Sequence, residues 1–248
     1  MSGNTESNAN TKEMLQAKIT SKASAYIKSV DASKPLSKPV YAINWFNTKA
    51  LWLYNLYNLL AVISVKKVGG SAVFKGRVKR VISGDDDLRR DVLLIVNYPS
   101  VNNFVNMLEN AYFKLVSLLR LAAVKDYTFG FTHPLSLESV GTDRDKNRDK
   151  SKIYLLHHYQ GNEQSTKNLQ DIISKQNIEI YYAGRISALV YSGDSSSPKE
   201  QIPCLMQGLF LLRANKLDKL TSLIQSEEYQ AAIKQTKASF IATLNRVL

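Results

Sequence analysis

The 248-residue chain contains a single cysteine, Cys204. One thiol excludes an internal disulfide framework and any cysteine-rich zinc module, and it suits a reducing compartment. Carboxylates are also scarce: 21 Asp and Glu stand against 33 Lys and Arg, for a formal charge of +12. That balance leaves anionic metabolites, other acidic partners and membrane surfaces open as targets. No uncharged apolar run reaches the roughly 20 residues that span a bilayer. The longest, Ala50 to Val65, is interrupted by Asn55 and Asn58 and reads as a buried helix. The first 30 residues lack the continuous apolar stretch of a signal peptide, so a soluble, cytoplasmic protein is expected. Also missing are a G-x-S-x-G nucleophile elbow, a Walker loop, a G-x-G-x-x-G phosphate cradle and an H-E-x-x-H zinc helix. Their absence leaves triad hydrolysis and nucleotide-driven phosphoryl transfer without support.

What the chain does have is ample apolar material, 44% of its residues, arranged with clear periodicity. Residues 1–39 form an N-terminal extension in which Met14, Leu15, Ile19, Ala23, Tyr26, Ile27 and Val30 follow helical spacing. An amphipathic helix is predicted there, able to dock a protein partner. Over 40–135 the pattern gives a strand from Val40 to Phe46, then the apolar helix, ended by Gly69-Gly70. An alternating strand over 71–82, a polar turn and a strand from Val92 to Tyr98 follow. A helix opened by Ser100 and running to about Val124, and a strand from Tyr127 to Thr132, complete the unit. Residues 136–151 are charged, hold almost no apolar side chain and read as a linker.

The same order then recurs over 152–248: strand, helix from Gln164 to Lys175, two strands, helix from Leu217 to about Gln235, strand. Local matches accompany it, with Gly76-Arg77 answering Gly184-Arg185 and Ser83-Gly84-Asp85 answering Ser192-Gly193-Asp194. The predicted class is α+β: two tandem ferredoxin-like β-α-β-β-α-β repeats. One such unit covers a single sheet face with its helices and leaves the other bare. The two bare faces are therefore expected to meet, forming an intrachain pseudo-dimeric α/β barrel with a pocket between the sheets.

Tyr41-Ala42-Ile43, Gly69-Gly70, the run Leu94-Ile95-Val96-Asn97-Tyr98-Pro99-Ser100 and Asn110-Ala111-Tyr112-Phe113 together resemble the small domains of the domain-of-unknown-function 1330 family, within the dimeric α/β-barrel superfamily. In the second half, Ser226-Glu227-Glu228-Tyr229 looks like the helix motif of that family, while Asn215-Lys216 replaces its Pro-Ser. The resemblance implies a fold and a cavity but no particular reaction. The wider superfamily includes cofactor-independent oxygenases, lactone isomerases, polyketide cyclases and haem-binding enzymes.

Strand alternation, with the apolar set of each second strand assigned to the helices, points the polar alternates into the pocket. This selects Arg77 and Arg185, at equivalent positions, and Arg213 as anion contacts, since a guanidinium can grip a carboxylate or phosphate with two parallel bonds. Asn44, Asn97 and Tyr181 become polar orienters. His157, equivalent to Asn44, becomes the candidate general base, and His158, equivalent to Trp45, points the opposite way. Each of these has a plain alternative: arginines paired with carboxylates or reaching solvent, and a histidine satisfied within the core. The ligand expected is a small anionic or aromatic molecule. Catalysis by a cofactor-independent oxygenase, isomerase or cyclase is the alternative, and a noncatalytic assembly component a further one. No cofactor is called for, with haem or a metal left open. Nucleic acid is not expected as a partner: basic residues crowd positions 66–90, yet no RNA- or DNA-binding motif accompanies them.

Overall fold

The structure is a computed structural model that describes residues 39–84, 89–135, 152–193 and 208–247, the side chains of 187–193 excepted. The predicted N-terminal helix, the linker and Cys204 lie outside the described residues. Eight antiparallel strands form one closed barrel in the order β1-β3-β2-β8-β5-β7-β6-β4. They are β1 (Val40–Thr48), β2 (Ser71–Ser83), β3 (Val92–Tyr98), β4 (Val124–Pro134), β5 (Ile153–Gln160), β6 (Glu179–Gly193), β7 (Gly208–Ala214) and β8 (Ala238–Arg246). Helix α1 (Leu51–Lys67) follows β1, and α2 (Val101–Glu109) with α3 (Ala111–Ala123) follow β3. In the second half α4 (Glu163–Lys175) follows β5, and α5 (Leu217–Gln225) with α6 (Glu227–Lys234) follow β7.

The first four strands and the last four each make their own ladder, and two seams join them. At one seam β2 pairs with β8, from Gly76 opposite Arg246 to Ser83 opposite Ile241. At the other β4 pairs with β6, from Tyr127 opposite Gly193 to Pro134 opposite Gly184. Strands β2 and β6, of 13 and 15 residues, are long enough to serve their own half at one end and the other half at the far end. Closure in this way leaves no free sheet edge.

Each helix predicted after the third strand of a half is in fact two. The break falls at Asn110 in the first half and at Ser226 in the second. Asn110 Oδ1 accepts the Phe113 backbone N–H at 3.2 Å, and Ser226 Oγ accepts that of Tyr229 at 3.3 Å. Both side chains thus cap a new helix start, which competes with continuing the old one. Helix α1 ends as expected, on Gly69 with φ +76°.

Packing divides into three layers of core, and the middle one overturns an expectation. Between the sheets, Tyr41, Ile43, Trp45, Phe74, Leu93, Ile95, Tyr154, Leu156, Tyr182, Leu211, Phe240 and Leu244 are all buried. Rings from the two halves meet there: Trp45 with Phe240 at 6.1 Å, Phe74 with Tyr154 at 4.9 Å, Tyr41 with Tyr182 at 5.3 Å between centroids. The apolar alternates of β2 and β6, such as Phe74 and Tyr182, point inward, opposite to their predicted direction. The physical reason is that an eight-stranded barrel has an interior just wide enough for side chains to fill, so the bulky apolar set belongs there. Register shifts between Ala72 and Phe74 and between Ile180 and Tyr182 further upset the simple alternation on which the prediction relied. Two outer layers fill the spaces between the barrel and the helices of each half.

Helix α1 is also less buried than expected. Tyr54, Tyr57, Ala61 and Ser64 face the barrel, but Trp52 is 71% exposed, Leu59 68% and Ile63 57%. On the neighbouring α3, Leu115 is 67% exposed. Among the described residues no helix is long and apolar enough to cross a membrane.

These layers predict a sharp contrast in urea unfolding. Leu156→Ala, in the barrel interior, should cost about 2–5 kcal/mol, because it removes buried methyl groups and leaves a cavity. Leu59→Lys, on the outer side of α1, should change stability by no more than about 0.5 kcal/mol.

Candidate functional site

An open space lies outside the barrel, between the first half's strands and its helices. It is a cavity of about 580 Å³, within the several-hundred-Å³ range usual for small-molecule sites. Leu94 and Phe129 from the strands, Ala61 and Val65 from α1, Phe104 and Met107 from α2 and Phe113 from α3 give it apolar walls. Polar groups are set into these walls from several elements. Asn44 comes from β1, Lys75 from β2 and Tyr127 from β4; Tyr57, Asn58 and Lys66 come from α1, Arg120 from α3 and Arg246 from the end of β8.

Asn44 is held firmly. Its Nδ2 donates to the carbonyls of Ala42 and Leu94, both at 3.4 Å, and its Oδ1 accepts the Tyr127 hydroxyl at 2.6 Å. The Arg120 guanidinium lies 4.6 Å from the centroid of the Tyr127 ring, a cation–π contact, and its buried Nε has no hydrogen-bond partner. Burial pushes the Tyr127 hydroxyl up to about 12, against the opposing pull of Arg120, so this phenol stays protonated at neutral pH. Tyr57 is likewise raised by burial and opposed by Arg120. Lys75 moves the other way: burial, then the neighbouring Arg77 charge, lower it. The lining therefore carries four cationic side chains, Lys66, Lys75, Arg120 and Arg246, and no Asp or Glu. Chemically, such a cavity suits a flat apolar body with a negative charge.

Of the ligand-binding and catalytic candidates selected from sequence, Asn44 alone lines this cavity, from the helix side of the sheet; Lys75, which alternation places on the same side of its strand as Arg77, lines it too. His157 also faces helices, in the second half. It hydrogen-bonds Tyr229 Oη through Nδ1 at 2.6 Å and Ser239 Oγ through Nε2 at 2.8 Å. His158 is the one inside the barrel, with its ring 5.6 Å from that of Trp45. The predicted directions of the pair are thus reversed, for the reason that reversed β2. Arg77 is exposed, and Arg185 pairs with Glu163 at 2.9 Å on the surface. Arg213 grips Glu179 through Nε at 2.8 Å and Nη2 at 2.5 Å, and stands 5.2 Å from the Tyr181 ring. Tyr181 reaches across the barrel to donate to the Val73 carbonyl at 2.9 Å. Asn97 lies opposite Tyr41 and hydrogen-bonds its side chain. The structure brings Tyr181 and Arg213 together at one end of the barrel and disperses the other arginines.

The halves differ at matching positions. Asn44 lies opposite Phe129 as His157 lies opposite Ile241, so the Asn44–Tyr127 bond has its counterpart in His157–Ser239. Phe113 and Tyr229 each stand three residues after their helix cap. In the second half the Tyr229 hydroxyl spans the gap to His157. Phe113 has no hydroxyl, and in the first half the space stays open.

Arg120 is the main residue missed from sequence. A signal for it exists: it lies seven residues after Phe113, on the helix face that also carries Val116, where a solvated arginine is out of place. Among the described residues no group of three or more His, Cys, Asp or Glu is placed to hold a metal ion.

No family model matches the chain, and no curated protein does. Solved structures do. An anthrone oxidase-like protein superposes with a TM-score of 0.53 at 11% identity, covering 85% of this chain and 92% of its own. A provisionally named monooxygenase from Fusobacterium nucleatum gives 0.50 at 10% identity, covering 86% and 94%. The fold is that of the dimeric α/β barrels. A Rhodopseudomonas palustris protein of unknown function reaches 24% identity over 40% of this chain and 85% of its own, with a TM-score of 0.39. The narrower likeness to the domain-of-unknown-function 1330 family has no matching family model behind it.

The two barrel histidines predict how stability responds to acid. Burial holds both His157 and His158 down to about 3, with the His158 charge adding to the effect on His157. Unfolded, each titrates near 6.5, so from about pH 6.5 down to 3 the unfolded chain takes up protons that the folded chain refuses. Stability is complete above the unfolded value and falls through this window, with a slope that approaches about 1.4 kcal/mol per pH unit per histidine. His158→Leu should remove one proton's share of that slope, read from urea unfolding at pH 7, 5.5 and 4.5. An unchanged slope would mean that His158 is charged in the fold.

Proposed function

We propose that this protein binds a small anionic molecule with a flat, apolar body in the cavity of its first half. One observation carries the reading: four cations and no carboxylate line a space whose walls are otherwise largely apolar. In proteins a buried cation normally has an acidic partner, because burying it alone is costly. Arg120 has Tyr127 instead, through its ring and its hydroxyl, neither of which carries a negative charge, and a ligand carboxylate or phenolate would supply the missing charge with strong hydrogen bonds. Aromatic walls such as Phe104 and Phe129 suit a planar body, and the Asn44–Tyr127 pair would orient it.

The chain is read as a duplication, with repeats at 40–135 and 152–248. The recurring element order and the paired helix caps support this. On that reading the matching place in the second repeat is taken by the His157–Tyr229–Ser239 chain, and that repeat serves to close the barrel. His157 then has a structural role, with both ring nitrogens engaged, and a general base for an oxygenase, isomerase or cyclase would have to come from the first-half cavity.

Planar aromatic carboxylates such as naphthoate should raise the thermal midpoint, whereas the corresponding neutral amide should not. Arg120→Met should weaken binding about tenfold to a hundredfold, the worth of one charge-assisted hydrogen bond, and Arg120→Lys should recover part of it. Equal binding of acid and amide, or no shift with any member of the series, would overturn the proposal.

A further inference from the structure

Lys75 is placed to do more than balance charge. It projects from β2 into the cavity lining, partly buried, with Nζ 4.8 Å from the centroid of the Tyr54 ring. Arg77 lies two residues along the same strand, and Arg246 lines the same space from β8. Lys66 of α1 and Arg120 of α3 complete the charged groups of the lining. Among the described residues no carboxylate bonds to Lys75. A partly desolvated lysine among other cations is in the kind of environment that favours the neutral, nucleophilic amine. The downward shift of Lys75, from burial and then Arg77, agrees with this.

We infer that Lys75 forms an imine with aldehydes or ketones that carry an apolar body and an anionic group and enter this cavity. The inference rests on the proposed anion-binding reading and adds a covalent step to it. The Lys75 Nζ lone pair attacks the carbonyl carbon to make a C–N bond, and the carbonyl π pair moves to oxygen. That oxygen takes the proton released by nitrogen, giving a carbinolamine. Loss of its hydroxyl with the second nitrogen proton expels water and leaves C=N. Amine and carbonyl go in and imine and water come out, so no oxidant or reductant is consumed. Arg120 keeps its charge throughout and is the group suited to hold the anionic end. Lys66 is exposed and Lys75 partly buried, which sets Lys75 apart among the amines of the lining.

The test uses the full chain with formyl-naphthoate at one equivalent, sodium borohydride to reduce any imine to a stable amine, and peptide mass mapping. Each unit by which a lysine's pKa falls raises its neutral fraction about tenfold. The Lys75 peptide should therefore carry more adduct than any surface lysine, and excess naphthoate, which has no carbonyl to react, should suppress it. Lys75→Arg, with its thermal midpoint confirming the fold, should lose the adduct. Adducts spread evenly over the lysines, or an adduct pattern unchanged in Lys75→Arg, would overturn the inference. If naphthoate raises the midpoint but Lys75 is not labelled, the imine fails while the anion site stands. If Lys75 is labelled yet naphthoate neither raises the midpoint nor protects, the anion site fails instead.

Discussion

Closure of the barrel is the constraint on which the rest of this protein depends. Strands β2 and β6 overrun their own halves to pair with β8 and β4, and once eight strands are joined the enclosed volume is fixed by their number and tilt. That volume holds side chains, not a ligand. Trp45, Phe74, Tyr154, Tyr182 and Phe240 occupy it and meet across the two halves. With the interior given to packing, the remaining place for a cavity is between barrel and helices. Polar side chains displaced from the interior face, Asn44 among them, point to that layer.

There the halves part company, through small differences in side-chain chemistry. Each has a capped helix break that delivers an aromatic ring three residues later toward the centre of the first strand. With Tyr229 the ring carries a hydroxyl that reaches a histidine, and the two buried polar groups satisfy each other. With Phe113 there is no such bond, and the strand offers Asn44, whose carbonyl oxygen is taken instead by Tyr127. In the second half this chain of bonds ties β5 to α6 and β8, and in the first half there is space beneath α1. The same helix is apolar on its outer side, where Trp52, Leu59 and Ile63 stand in solvent. It roofs the cavity with residues such as Tyr57 and Ala61, so the part of the protein next to the cavity is also the part with the least conventional surface.

Charge gives this space its character. The chain has a large excess of basic residues, but an excess says nothing of where cations sit or what neutralises them. Arg185 and Arg213 find Glu163 and Glu179, which leaves them as ordinary ion pairs. Arg120 meets an aromatic ring instead. Rings stabilise cations without cancelling their charge, so the cavity keeps a positive field that the surface pairs do not.

The sequence by itself determined the class of the fold, the order of strands and helices, most of their limits and the recurrence of that order in the second half. These follow from local periodicity, from glycine at Gly69 and from the polar breaks, all of which act over a few residues. It also presented Asn44 and His157 as matching positions, and each lies in the middle of the strand that opens its half. What only the tertiary structure decided was direction. An alternating strand such as β2 states that two faces differ but not which neighbour each face will meet, and one register shift exchanges them. Whether Phe74 looked inward or outward, and with it whether Arg77 met a ligand or water, depended on strands more than a hundred residues away closing the barrel around it. For the same reason Arg120, an isolated charge on an apolar helix face in the sequence, became the centre of the candidate site only when the fold set Tyr127 beneath it.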